Sequence, residues 1–153
     1  MGNKNKKGRQ SGAFLNAKKK DLPNVAFNLD NSRFAWSFDK IERGHECWRL
    51  EGLFVIDTII AKLKSFETMT WFEIKSQSGG KAKGNGTNNH FISGTLLPKE
   101  YQKVFIERGY MRNYEKVFSL RIDARKRLIG VVDRNVFYIL WFDEAHSMFP
   151  TIK

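Results

Sequence analysis

Four cations and one imidazole mark the last third of the chain. Arg121, Arg125, Lys126 and Arg127 crowd one short stretch, and Asp143 and His146 follow two strands' length later. Cleaving RNA without a metal needs three groups: one to take the ribose 2′-OH proton, cations for the charge developing on phosphorus, and an acid for the leaving oxygen. Arginine suits the second role because its planar fork binds phosphate bidentately and stays charged. Histidine suits the first or third because it exchanges protons near neutral pH. Tyr138, Trp141 and Phe149 lie close in sequence and offer π faces on which bases stack. The same residues also suit a scaffold strand with solvated charges, since aromatic strand residues usually belong to a core.

The remaining chemistry is sparse. His45, His90 and His146 are the three histidines, and none forms a zinc-ligand spacing, so no metal site is expected. No nucleophile elbow occurs, and no cofactor is implied. The spacing from Gly79 to Gly84 resembles a phosphate loop, but Asn85 stands where its lysine belongs. Cys47 is the single cysteine, so no internal disulfide can form and a reducing, cytoplasmic setting is expected. No apolar stretch approaches a membrane span, and no membrane partner is expected.

The elements that must carry these groups follow from periodicity. VFSLRID, RLIGVVD and VFYILWFD are separated by short polar turns, which predicts an antiparallel three-strand meander over 118–143. Phe118, Leu120 and Ile122 alternate with Ser119, Arg121 and Asp123, so one face is expected to be apolar and the other polar. Arg127 is then a solvent-facing residue at a strand end. Upstream, RFAWSF (33–38) predicts a first strand. Leu53, Ile56, Ile60 and Leu63 predict the buried stripe of a helix from about Leu50 to Phe66, widened by Phe54, Ile59 and Phe66. Thr70 and Glu73 form a capping box ahead of a short second helix. Pro98 and Gly109 bracket a third helix with Tyr101, Val104, Phe105 and Ile106 on its inner side. The expected fold is α+β, an antiparallel sheet with helices packed on one face.

Charge divides the chain into an arm and a domain. Residues 1–22 hold seven Lys/Arg and one acid, a net of +6 out of the total +11. Residues 1–23 are therefore expected to be a basic flexible arm, and 24–153 a single domain interrupted by a Gly-rich flexible loop at 76–89. Lys81 and Lys83 in that loop, with Arg125, Lys126, Tyr138 and Trp141 in the meander, are the expected nucleic-acid contacts.

SLRIDARKRLIGVVDRNVFYILWFDEAH resembles the C-terminal sheet of the RelE/ParE toxin superfamily, in which an Arg-bearing strand precedes a hairpin and a strand ending in basic or His residues. The resemblance implies a metal-independent endoribonuclease, a toxin neutralised by an antitoxin protein and acting on RNA, with the ribosome a possible platform. By position it casts Arg121 and Arg127 as the phosphate-binding arginines and His146 as the general acid. Phe149 stands where active members often carry a catalytic Tyr, and a Phe transfers no proton. The helix at 98–108, the Gly-rich loop and the basic arm are further departures. The general base is left unassigned, with His90 a poor candidate in a mobile loop. A non-catalytic nucleic-acid or protein-binding module on the same fold stands as the alternative.

Overall fold

The structure is a computed structural model, and it describes residues 26–78 and 88–149. The basic arm at 1–23 and most of the Gly-rich loop, with Lys81 and Lys83, lie outside the described residues. Its centre is a five-stranded sheet built from β1 (Ala35–Ser37), β2 (His90–Ser93), β3 (Lys116–Arg121), β4 (Arg127–Asp133) and β5 (Val136–Asp143). Across the sheet the order is β1-β5-β4-β3-β2. The meander β3-β4-β5 forms as its alternation and turns predict. The sheet is mixed rather than antiparallel, because β1 runs parallel to β5, with Ala35 opposite Val136 and Ser37 opposite Tyr138.

Helices cover both faces, which corrects the expectation of a single helical layer. On the first face lie α1 (Gly52–Phe54), a π-helical stretch (Val55–Ile60), α2 (Ala61–Phe66) and α3 (Trp71–Ser76). Their Ile59, Leu63, Phe66, Trp71 and Ile74 pack on Phe118, Leu120, Leu128, Phe137, Ile139 and Phe142. On the second face α4 (Lys99–Glu107), followed by α5 (Tyr110–Asn113), brings Phe105 onto Val117, Ile129, Val131, Leu140 and Trp141. Each fully buried Leu, Ile or Phe contributes roughly 1.5–3 kcal/mol, so both layers are integral to stability. Ser119, expected on a polar face, is 2% exposed for this reason. A small hydroxyl side chain fits between sheet and second layer where its sequence neighbours suggest solvent.

The first helix is buried through a different stripe from the predicted one. Leu53 and Ile56 are exposed at 73% and 59%, while Ile59, Leu63 and Phe66 are buried. The π-helical stretch widens one turn, so Phe54, rather than Ile56, reaches the core and packs edge-on against Phe142 at 5.9 Å. In α4 likewise Phe105 is buried and Ile106 exposed. The predicted capping box is present. Thr70 Oγ1 accepts from the Glu73 amide at 3.3 Å, and the Glu73 carboxylate accepts from the Thr70 amide at 2.7 Å. These bonds hold the Glu73 carboxyl below its ordinary pKa.

A bulge between Ile129 and Gly130 lets two consecutive residues of β5, Leu140 and Trp141, enter the second layer. The carbonyl it releases on Leu140 accepts from the Trp48 indole at 2.9 Å and the Glu42 amide at 3.2 Å. Gly130 is required here. A Cβ would stand 2.1 Å from the Tyr138 carbonyl oxygen and 2.8 Å from Phe137 Cε2.

Candidate active site

Register decides which polar residues meet. Arg121 pairs with Arg127, and Arg127 with Asp143, at the ends of β3, β4 and β5. Two pairs further in, Ser119 faces Ile129, and Ile129 faces Trp141. Side chains two residues apart share a face, so the polar row continues the second face beyond Trp141. Tyr101 of α4 reaches as far as Trp141, edge-on at 5.3 Å.

The two arginines converge on one atom. Arg121 Nε and Arg127 Nη1 both donate to the Asp123 carbonyl oxygen, at 2.9 Å each. Arg127 Nη1 also donates to the Lys126 carbonyl at 3.0 Å. At 8% exposure Arg127 is buried, not the solvent-facing strand end expected from its position. The ion pairs formed among the described residues do not include it. Burial, and then the neighbouring Arg121 charge, lower its pKa, against the pull of Asp123 and Asp143. Holding two guanidiniums side by side at low exposure is unfavourable unless something negative approaches them.

The hairpin around them is organised by the Asp123 carboxylate. It accepts from the amides of Arg125 and Lys126 and from Lys126 Nζ, each at 2.9 Å. The Lys126 amide is the largest cause of an Asp123 pKa lowered to about 2. Lys126 is thereby committed to Asp123, whereas Arg125 is exposed at the hairpin tip. A groove of about 620 Å³ runs between this hairpin and Glu144 and Ala145.

His146 lies in a turn that Asp143 ties. The Asp143 carboxylate, 3% exposed, accepts from the Ser147 amide at 2.9 Å, the Ser147 hydroxyl at 3.2 Å and the Met148 amide at 3.0 Å. Buried Met148 anchors the return of the chain in the second layer. His146 adopts a left-handed conformation, φ 56°, at a cost of roughly 1–2 kcal/mol for a residue with a Cβ. Burial and then Arg127 push its imidazole below the ordinary histidine range. His90 and Arg121 push the same way and Asp143 opposes them, so all four act on one ring.

Sequence reasoning missed how the start of β2 joins this group. Asn89, assigned to the flexible loop, is 1% exposed. Its amide group donates to the Ile74 carbonyl at 2.9 Å and the Gln77 side chain at 3.1 Å, and its oxygen accepts from the Arg121 amide at 2.8 Å. Asn88 accepts from Arg121 Nη1 at 2.5 Å. These bonds carry His90 onto an ordered strand opposite Ser119, on the face that holds Arg121 and Arg127. The signal was HFIS, an apolar pair after a polar run, too short to stand out.

Not every expected contact joins the cluster. Trp141 is fully buried and forms part of the core, so it offers no face to a base. Tyr138 sits opposite Val131, four residues along β4 from Arg127, with Lys40 Nζ 4.9 Å from its ring centre. Phe149 packs against the second core. A separate cavity of about 360 Å³, lined by His45, Cys47, Tyr101 and Ser147 among others, flanks the Asp143 turn. Burial raises the Cys47 thiol to about 11 and the Tyr101 phenol to about 12, so neither ionises at neutral pH. Among the described residues no three His, Cys, Asp or Glu side chains group closely enough to hold a metal ion. Nor is any helix among them long and apolar enough to cross a membrane.

No protein-family model, curated protein or solved structure matches the chain.

Proposed function

We propose that the chain is a RelE-like endoribonuclease that works without a metal, the toxin of a toxin–antitoxin or mobile-element system acting on cytoplasmic RNA. One observation carries the reading: Arg121 and Arg127 share the Asp123 carbonyl, and the buried Arg127 has no carboxylate in ion-pair contact among the described residues. A phosphodiester supplies the missing negative charge, and the charge that builds on phosphorus during cleavage strengthens the contact. Burial and Arg127 keep His146 neutral near pH 7. A neutral imidazole takes the ribose 2′-OH proton more readily than it gives one. That favours the role of base over the acid role that family position suggests. Exposed Arg125 and the adjoining groove offer the RNA backbone a path beyond the scissile phosphate.

The test is RNA integrity with purified protein, with and without ribosomes, and after a pulse of expression. Cleavage by the wild type, falling about 10²–10³-fold in Arg127→Ala, is the expected result, the scale for one preorganised charge-stabilising donor. RNA left intact under all three conditions overturns the nuclease and favours a nucleic-acid or protein-binding module.

A further inference from the structure

His90 lies outside every role assigned so far, yet the sheet brings it to the same place. It opens β2 opposite Ser119, two residues along β3 from Arg121, on the face that carries Arg121, Arg127 and Asp143. The strand order β5-β4-β3-β2 sets the return turn of His146 on one side of the arginine pair and His90 on the other. Strands spaced about 4.8 Å apart would leave a wide gap between β2 and β5. Across that gap the turn tied by Asp143 carries His146 back from the end of β5, and His90 contributes to the electrostatic environment of His146. Asn88 and Asn89 fix the start of β2 to Arg121 itself, so His90 is held in register with the guanidinium pair.

We propose that His90 is a catalytic residue of this site, the general acid that protonates the leaving 5′-oxygen while His146 serves as base. The proposal rests on the nuclease reading and completes it. The 2′-oxygen attacks phosphorus as its proton passes to the neutral His146 imidazole. The P–O5′ bond breaks, and O5′ takes a proton from the His90 imidazolium. The products are a 2′,3′-cyclic phosphate and a 5′-hydroxyl end. His146 finishes protonated and His90 neutral, and exchange with water restores both. Arg121 and Arg127 hold the non-bridging oxygens throughout. An imidazole suits each transfer because it can give or accept a proton near neutral pH.

The experiment compares an RNA oligonucleotide containing one ordinary linkage with its counterpart in which sulfur replaces the bridging 5′-oxygen. A thiolate leaves without protonation, so the second substrate bypasses the acid. His90→Ala and His90→Gln are expected to lower cleavage of the ordinary linkage about 10²–10⁴-fold and to recover to within about tenfold of wild type on the sulfur linkage. His146→Ala should stay impaired on both. Wild-type cleavage of both substrates with His90 variants equally active, or equally impaired on each, overturns the role of His90 and leaves the nuclease standing. Failure of the wild type to cut either substrate removes both.

Discussion

Arg127 and Asp143 stand opposite one another on β4 and β5 yet form no ion pair. The carboxylate is turned to Ser147 and Met148, where it closes the turn that carries His146. Had the two paired, the proposed site would have lost both a cation to offer a phosphate and the tie that holds the turn of His146.

An Arg127 outside the ion pairs of the described residues should make the fold sensitive to anions. Inorganic phosphate at 100 times its dissociation constant would add about 2.7 kcal/mol to the stability of a protein that binds it only when folded. The melting temperature of the wild type should therefore rise with phosphate at constant ionic strength, and that of Arg127→Ala should not. Equal rises in both proteins would place the anion elsewhere.

Asp143→Asn should separate positioning from packing. Asparagine keeps one acceptor and gains a donor that faces the Ser147 and Met148 amides. A stability loss of about 1–3 kcal/mol is expected for a buried hydrogen-bond network disturbed in this way. Turnover should fall with little change in substrate affinity, because the arginines stay in place. A rise in KM with unchanged kcat would show that Asp143 serves binding instead.

The depressed His146 pKa has a consequence for stability against pH. The unfolded chain takes up the proton near the ordinary value of 6.5, and the folded chain only at lower pH. The unfolded state thus binds more protons in that window, and stability rises with pH across it. The contribution is complete above 6.5 and is lost as pH falls through the folded value. Melting curves of the wild type and His146→Ala should diverge most above that point and converge under acid. A gap that widens on acidification would reverse the assignment.

Two core substitutions test the two-layer fold. Leu120, fully buried on the first face, should cost roughly 2–5 kcal/mol when cut to alanine. Gly130→Ala adds a methyl group against the backbone of β5, and overpacking of this kind typically costs about 1–3 kcal/mol or more. Denaturant unfolding measures both. A neutral Gly130→Ala would mean that the bulge is not where the register puts it.

The meander, the capping box and α4 were legible because each carries its signal locally, in alternation, in a Thr-to-Glu spacing, or in Pro98 and Gly109. Three features were not. The second helical layer hid behind Ser119, since a buried serine and a solvated one look alike until the covering helix is known. The stripe of the first helix slipped because one π turn changes the phase of everything before it. The strand within 33–38 was legible, but its parallel pairing depends on the distant partner Val136.

The site divides along the same line. Arg121, Arg127 and His146 were legible by residue type and by nearness to one meander. His90 was not, because its place depends on β2 pairing with β3 across the Gly-rich loop. The cap supplied by Asp143 was hidden too, since a carboxylate beside arginines suggests a salt bridge.

The pairing of Ala35 with Val136 also sets an order of assembly. During synthesis β1 leaves the ribosome long before β5 exists, and it must wait with Phe34 and Trp36 unburied. Contacts of such high sequence separation fold slowly, and exposed apolar strands awaiting a partner are where aggregation begins. His146 and the turn that holds it emerge later still. A nascent chain therefore carries both arginines before the turn that holds His146 exists, and the polar row across the sheet is complete only when the last strand is in place.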